Sequence, residues 1–185
     1  FLWEVLFKRP ITVNDLSAVV TGIILAMNLP STAPWWLILI GSAVAIVLVK
    51  QLFGGLGDNF VNPAIAARAV LLASWPALMS GSSAYVTPFD AVSTATPLAS
   101  LAEGTATNYS MIDMLIGRMP GCIGEVSKIA ILLGLAYLLI RKTISWHIPV
   151  TMIASFMLFT WIFGSDPVTG VLMGSVLFGA VFMAT

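Results

Sequence analysis

The sequence predicts an all-α fold, a polytopic bundle of transmembrane helices. Of its 185 residues, 59% are hydrophobic and 9% are charged, and the mean hydropathy is +1.02. In an average soluble domain about 25% of the residues are charged. Apolar segments near the length of a membrane span, about 17–25 residues, also recur along the chain. We expect one integral membrane domain over residues 1–185, a fragment of a longer subunit because the chain begins at Phe1 and ends within an apolar run.

The apolar residues fall into about six candidate membrane segments, judged by the length of a bilayer span. Pro30 and Pro34 interrupt the pattern after the first segment, and several segments are short, so half-helices or tilted helices are expected. Residues 54–63 are a candidate re-entrant segment, because Gly-rich backbone at membrane depth must be buried in protein or line a water-filled cavity. A long polar connection covers residues 80–124. The six segments are residues 13–29, 35–49, 63–79, 127–140, 148–163 and 168–185.

Basic residues near the segment ends predict the orientation. Such residues are enriched in cytoplasmic loops, and the inner set consists of Lys8, Arg9, Lys50, Arg141 and Lys142. If all of these are inside, the loop over residues 80–124 lies on the outer face of the membrane.

That outer loop contains a small, hydroxyl-rich stretch, Asp90-Ala91-Val92-Ser93-Thr94-Ala95-Thr96-Pro97. Pro97 disfavours the α conformation of the residue before it, so Thr96 should be extended with its hydroxyl presented. Ser93, Thr94 and Ala95 are too small to shield that hydroxyl, which makes Thr96 the preferred acceptor for a phosphoester. By composition alone, an ordinary connecting loop explains the stretch equally well.

Arg68 is a second candidate, since an ionisable residue within a membrane segment is costly and is a functional hypothesis by default. It follows Asn62 and Pro63, where a helix N-terminus presents free N–H groups and partial positive charge. Such an end suits an anionic or polar group, for example a carboxylate partner or the polar edge of a cofactor. A structural ion pair with Asp58 is the alternative.

Glu125 is spaced i, i+3 from Lys128 at the start of the fourth segment, which allows a pair on one helix face. In a functional role, Glu125 lies beside an ion path or a cofactor; otherwise the two residues cap and anchor the helix.

The composition also excludes several classes of site. Cys122 is the sole cysteine, which excludes an internal disulfide and a multi-cysteine iron–sulfur or zinc site. Eight basic and eight acidic residues give a net charge of zero, so the clustered basic face that marks a nucleic-acid-binding protein is not expected. Redox chemistry in this chain would require an organic cofactor or a partner.

Three stretches together resemble the RnfD and NqrB family, whose members are membrane subunits of ion-pumping redox complexes. Residues 90–97 are similar to the flavinylation motif of that family, although many relatives have Gly where this chain has Thr94. Residues 50–64 are similar to its glycine-rich segment, which ends in Asn-Pro-Ala. Residues 124–128, Gly-Glu-Val-Ser-Lys, are similar to its turn before a helix.

The resemblance implies FMN esterified to Thr96, with Asp90 leading the motif. A second, noncovalent flavin such as riboflavin is a further candidate cofactor, and the candidate cofactor-binding residues outside the motif are Asn59, Asn62, Arg68 and Glu125. The implied partners are other subunits of a redox complex, both flavin-bearing and iron–sulfur, together with an extracytoplasmic flavin transferase and membrane lipid. The implied location is the cytoplasmic membrane of a bacterium or archaeon.

The implied function is electron transfer within an Rnf complex, a ferredoxin:NAD oxidoreductase that moves Na⁺ or H⁺. The NqrB branch, which serves NADH and quinone, is the alternative within the family. A flavin-free channel or permease, whose discontinuous helices would line a substrate path, is the alternative of another class. A structural membrane scaffold is a third.

Overall fold

The computed structural model describes residues 2–8, 11, 13–53, 55, 59, 61–80, 84–86, 93–94 and 109–184, and helices dominate this part of the chain. The helices of the first half are α1 (Leu2–Leu6), α2 (Ser17–Met27), α3 (Trp35–Ala43), α4 (Pro63–Ser74) and α5 (Pro76–Ser80). Those of the second half are α6 (Met111–Ile116), α7 (Lys128–Ile140), α8 (His147–Ile162), α9 (Pro167–Met173) and α10 (Val176–Phe182).

The described residues also form a 3-10 turn, a π-helix and two short strands. A 3-10 turn, Val13–Asp15, precedes α2, and α3 continues directly into a π-helix, Val44–Gln51. Strands β1 (Tyr85–Val86) and β2 (Ser93–Thr94) pair antiparallel. The all-α prediction is therefore confirmed at the level of fold class, with this two-residue pairing as an addition. None of the helices in the described part of the chain has the combined length and hydropathy of a membrane span.

The third and sixth apolar segments, each predicted as one continuous segment, are each divided into two helices. The third divides at Trp75 into α4 and α5, because Pro76 disfavours the helical conformation of the residue before it. The sixth divides at Gly174 and Ser175 into α9 and α10. Residues 54, 56–58 and 60 of the candidate re-entrant segment lie outside the described residues.

The start of α4 follows from two adjacent residues. Pro63 occupies the first helical position, where its missing N–H costs nothing. Asn62 caps the helix, and its Oδ1 accepts hydrogen bonds from the N–H of Ala64 at 3.0 Å and of Ile65 at 3.4 Å. The cap fixes where α4 begins and therefore how Arg68, in its second turn, is directed.

The core has two main clusters, which meet at Ile24 and Met183. The first packs α4 against α2 and α3, and small residues on α4 permit the close approach that helices in membranes use. The second packs α7 against α10. The first cluster comprises Leu25, Leu29, Leu37, Ala45, Ala64, Ala67, Leu71 and Met79, and the second Ile131, Leu177, Phe178 and Val181.

The outer surface is also apolar. Trp35 is 73% exposed, Ile140 79% and Phe163 82%. Large exposed apolar surfaces mark contact with a membrane or with another protein.

Candidate cofactor site

The hydroxyl-rich stretch is described at Ser93 and Thr94, which form β2. Thr94 pairs with Tyr85 and Ser93 with Val86 in the antiparallel register. The pairing ties this stretch to β1 through main-chain hydrogen bonds. The other predicted attachment residues, Asp90, Ala95 and Thr96, lie outside the described residues.

Strand β1 is itself anchored in the protein interior. The Thr32 hydroxyl donates to the Ala84 carbonyl oxygen at 2.7 Å. Tyr85 is buried, and its hydroxyl donates to the Met79 carbonyl oxygen at 2.6 Å. The Sγ atom of Cys122 lies 3.9 Å from the same phenol oxygen, so β1 joins the hydroxyl-rich stretch to the turn that precedes α7.

Arg68 lies beside that turn. Its Nη1 atom donates to Oδ1 of Asn28 at 3.0 Å, and its Nη2 atom to Sγ of Cys122 at 3.6 Å. Asn28 is 3% exposed, and its amide nitrogen donates to the Ile24 carbonyl oxygen at 2.7 Å. The alternative partner Asp58 lies outside the described residues.

A cavity of about 260 Å³ lies next to the Arg68 side chain. Its polar lining consists of Arg68, Asn28 and Ser175, and its apolar lining includes Met152 and Met183. A guanidinium offers five N–H donors, and the contacts to Asn28 and Cys122 use only some of them. The cavity therefore suits a ligand with negative charge or carbonyl oxygens.

Glu125 is buried and contacts the main chain of Cys122. Its Oε1 atom accepts a hydrogen bond from the Cys122 N–H at 3.0 Å, so the carboxylate turns back over its own turn. The prediction of a Glu125–Lys128 pair on one helix face is wrong in its geometry. Glu125 precedes α7, and Lys128 Nζ donates to the Glu125 carbonyl oxygen instead.

The two candidate asparagines differ in how their side chains are used. Asn62 is committed to the fold: besides capping α4, its Nδ2 donates to the Met183 carbonyl oxygen at 3.2 Å. The Oδ1 atom of Asn59 is buried, and no described group donates a hydrogen bond to it. Buried polar atoms are nearly always paired, so Asn59 offers an unused acceptor to a ligand.

Burial determines the protonation states of Cys122 and Tyr85, the two residues that connect β1 to the turn before α7. It raises the pKa of the Cys122 thiol to about 11, with the negative charge of Glu125 adding to the shift and Arg68 opposing it. Burial likewise raises the pKa of Tyr85 above its ordinary value. Both groups are protonated at neutral pH, and they act as hydrogen-bonding groups rather than as nucleophiles.

The chain is similar to known proteins along its whole length. A family model described as "NQR2, RnfD, RnfE family" matches residues 1–185. The chain belongs to this family. Its relatives include the D subunit of the Na(+)-translocating ferredoxin:NAD(+) oxidoreductase complex of Acetobacterium woodii, with 52% identity over 97% of this chain and 57% of the relative.

Two further relatives represent both branches of the NQR2, RnfD, RnfE family. The D subunit of the proton-translocating ferredoxin:NAD(+) oxidoreductase complex of Clostridium ljungdahlii is 41% identical, over 96% of this chain and 59% of the relative. The B subunit of the Na(+)-translocating NADH-quinone reductase of Chromohalobacter salexigens is 40% identical, over 99% of this chain and 48% of the relative. The chain thus spans about half to three-fifths of the length of these relatives.

In this family member, the structure brings both Arg68 and Glu125 into contact with Cys122. Sequence reasoning missed Asn28, Tyr85 and Cys122 as parts of the cluster. A polar Asn28 at the end of an apolar segment was a usable signal, because buried polar groups require partners. No local pattern in the sequence places Tyr85 or Cys122 near Arg68, since those contacts join distant parts of the chain.

Proposed function

We propose that this chain belongs to a membrane electron-transfer subunit of an ion-translocating ferredoxin:NAD oxidoreductase complex. In this proposal it carries FMN on Thr96 through a phosphoester bond and relays electrons whose transfer drives Na⁺ or H⁺ transport. The observation that carries it is the 52% identity to the D subunit from Acetobacterium woodii over 97% of the chain. The identity to the NADH-quinone reductase relative is lower, at 40%, which favours the ferredoxin branch.

The chain's own groups fit flavin cofactors at two places. The hydroxyls of residues 93–96 offer the acceptor for a covalent FMN, and the pairing of β2 with β1 supports an extended backbone beside it. The remaining N–H groups of Arg68 border a cavity and would suit the carbonyl oxygens of a second, noncovalent flavin such as riboflavin, and Asn59 Oδ1 offers a separate acceptor. Bound flavin supplies one-electron and two-electron transfer.

The neighbouring polar residues would position the Arg68 guanidinium and set the charge beside the ligand. Asn28 orients the Arg68 guanidinium, and Asn62 fixes the start of α4 that carries it. Glu125 orders the turn that holds Cys122 against Arg68. Within a site shielded from water, a fixed guanidinium stabilises a ligand when that ligand gains negative charge, as a reduced flavin does.

We further propose a multi-pass location in a bacterial or archaeal cytoplasmic membrane, with the Thr96 loop on the outer face. The exposed apolar side chains of α7, α8 and the residues after them would contact lipid and neighbouring subunits, which include flavin-bearing and iron–sulfur subunits. A flavin transferase would act on the outer loop. This orientation is supported by the inner set of basic residues, which consists of Lys8, Arg9, Lys50, Arg141 and Lys142.

Covalent flavin on Thr96 can be tested directly. The full-length subunit is produced with and without its flavin transferase, denatured, and examined by in-gel flavin fluorescence and intact mass. Thr96→Ala is the test variant, and Thr94→Ala is the matched control two residues away.

We expect fluorescence in the wild type and in Thr94→Ala, a mass increase equal to FMN less water, and neither signal in Thr96→Ala. Loss of the signal in Thr94→Ala alone would move the ester to Thr94. A chain with no adduct in the presence of competent transferase would contradict the proposal and favour the flavin-free permease.

A further inference from the structure

Lys128 is fully buried, yet its ammonium bonds to main-chain oxygens. It is 0% exposed. Its Nζ atom donates to the Gly174 carbonyl oxygen at 3.1 Å and to the Glu125 carbonyl oxygen. Burial of an ammonium is costly unless it is paired and hydrogen-bonded, and within the described part of the chain its hydrogen bonds go to these carbonyls rather than to a carboxylate. The ammonium is therefore held as a cation is held in a carbonyl site.

The two carbonyl groups come from irregular backbone. Gly174 lies at the break between α9 and α10, with φ −105° and ψ 177°, so it is extended between two helices. Glu125 lies in the turn before α7, and its buried carboxylate accepts a hydrogen bond from the Cys122 N–H within the same turn. Unwound carbonyls at broken helices coordinate Na⁺ in membrane transporters, and hard cations in general prefer oxygen ligands.

We propose that the Glu125 and Gly174 carbonyls form a monovalent cation site whose resident cation is the Lys128 ammonium. When the ammonium is removed, a Na⁺ ion takes its place between the same oxygens, with the Glu125 carboxylate balancing its charge. This inference concerns α7, α9 and α10 and is independent of the flavin proposal.

A tethered cation has a particular effect at a helix break. The carbonyls freed by the break are satisfied without a mobile ion, so the geometry of α9 and α10 does not depend on the sodium concentration. An ion moved by the complex would not be retained at this position in the wild type.

The test compares variants of the full-length subunit within its assembled complex. Lys128→Ala leaves space at the position of Nζ, whereas Lys128→Met fills that space with apolar atoms. Lys50→Ala is the matched control, because Lys50 is also buried but its Nζ bonds to the Ser17 hydroxyl instead of to carbonyls. Equilibrium binding of radioactive Na⁺ and the heat stability of the complex, read by size exclusion, are measured in sodium chloride and in choline chloride.

We expect Lys128→Ala to bind an additional Na⁺ per complex and to gain at least about 2 °C in thermal midpoint when sodium replaces choline. The wild type, Lys128→Met and Lys50→Ala should show neither effect. If Lys128→Ala does not assemble, Lys128→Ser, which also leaves the position of Nζ empty and adds a polar hydroxyl near it, is measured in the same way. Failure of both variants to assemble in sodium, or the absence of additional Na⁺ in the assembled variant, would overturn the proposal.

Discussion

The Arg68 guanidinium donates to the Asn28 amide oxygen over 3.0 Å, so the second turn of α4 is bonded to the residue that ends α2. Asn28 is nearly fully buried, so this hydrogen bond satisfies a polar group that is largely withdrawn from solvent. The same guanidinium borders a cavity. Arg68 thus has a structural contact on one side and a potential ligand contact on the other.

Arg68→Gln is expected to lose about 1.5–3 kcal/mol of unfolding free energy, the usual range for a hydrogen bond to a charged group. It should also reduce the noncovalent flavin that denaturation releases from the complex. Denaturant unfolding of the purified subunit and flavin quantification provide the two measurements. Arg141→Gln, at an exposed position after α7, is the control and should change stability by less than about 0.5 kcal/mol. Unchanged noncovalent flavin in Arg68→Gln would assign Arg68 a structural role only.

Thr32→Val tests the anchoring of β1. The change removes the hydroxyl that donates to the Ala84 carbonyl oxygen, and about 0.5–1.5 kcal/mol of stability should be lost. Covalent flavin should also decrease, because β1 pairs with the hydroxyl-rich stretch. In-gel fluorescence relative to protein stain measures this occupancy. Thr151→Val removes a hydroxyl that bonds within its own helix at an exposed site, and it should leave the flavin unchanged. Equal occupancy in both variants would argue against the anchoring role.

Gly124→Ala should destabilise the packing of the turn before α7 against α2. An added Cβ would lie 2.8 Å from Met27 Cβ, 2.9 Å from Phe178 Cε2 and 3.0 Å from the Met27 carbonyl oxygen. Overpacking of this kind costs about 1–3 kcal/mol. Denaturant unfolding measures the loss.

Gly22→Ala is the matched comparison for that variant, because a Cβ at Gly22 meets no heavy atom within 4 Å. It should stabilise α2 by about 0.5–1 kcal/mol, since alanine loses less backbone entropy than glycine on forming a helix. Destabilisation by both variants to the same extent would show that the Gly124 contact is not the cause.

The buried Cys122 thiol should make the unfolding free energy of the protein depend on pH in the alkaline range. Its pKa rises from the ordinary value of 9.0 to about 11 because the thiol is buried. The unfolded chain therefore loses this proton first, and stability that is fully present below pH 9 falls between about pH 9 and 11. Unfolding free energy measured across this range should fall more steeply in the wild type than in Cys122→Ala. Parallel curves would exclude Cys122 as the source.

The sequence predicted what local chemistry determines. Asn62 and Pro63 marked the start of α4, because a capping side chain and a fixed φ act within one turn of helix. Pro76 ends α4 through an equally local effect, but residues 63–79 were predicted as one segment and this break was missed. The break at Gly174 was not predicted, since glycine is common in membrane helices and its neighbours carry no other helix-breaking signal.

The arrangement around Arg68 was predicted only in part. Arg68 and Glu125 were selected because buried charges are costly, and the structure places both of them against Cys122. Their connection through Cys122 depends on how distant segments pack, which apolar periodicity does not encode. For the same reason, a spacing of three residues suggested a Glu125–Lys128 side-chain pair, whereas the start of α7 at Lys128 leaves Glu125 outside the helix.

Two side-chain contacts at the end of the π-helix Val44–Gln51 depend on the number of residues in that helix. Lys50 reaches the Ser17 hydroxyl, and Gln51 Nε2 donates to Glu4 Oε1 at 3.3 Å. Each residue of an ordinary helix adds a rotation of about 100°, so deletion of one residue ahead of Lys50 would direct both side chains away from these partners. A one-residue deletion in this segment should therefore be more damaging than most substitutions, although it would leave the apolar character of the segment almost unchanged.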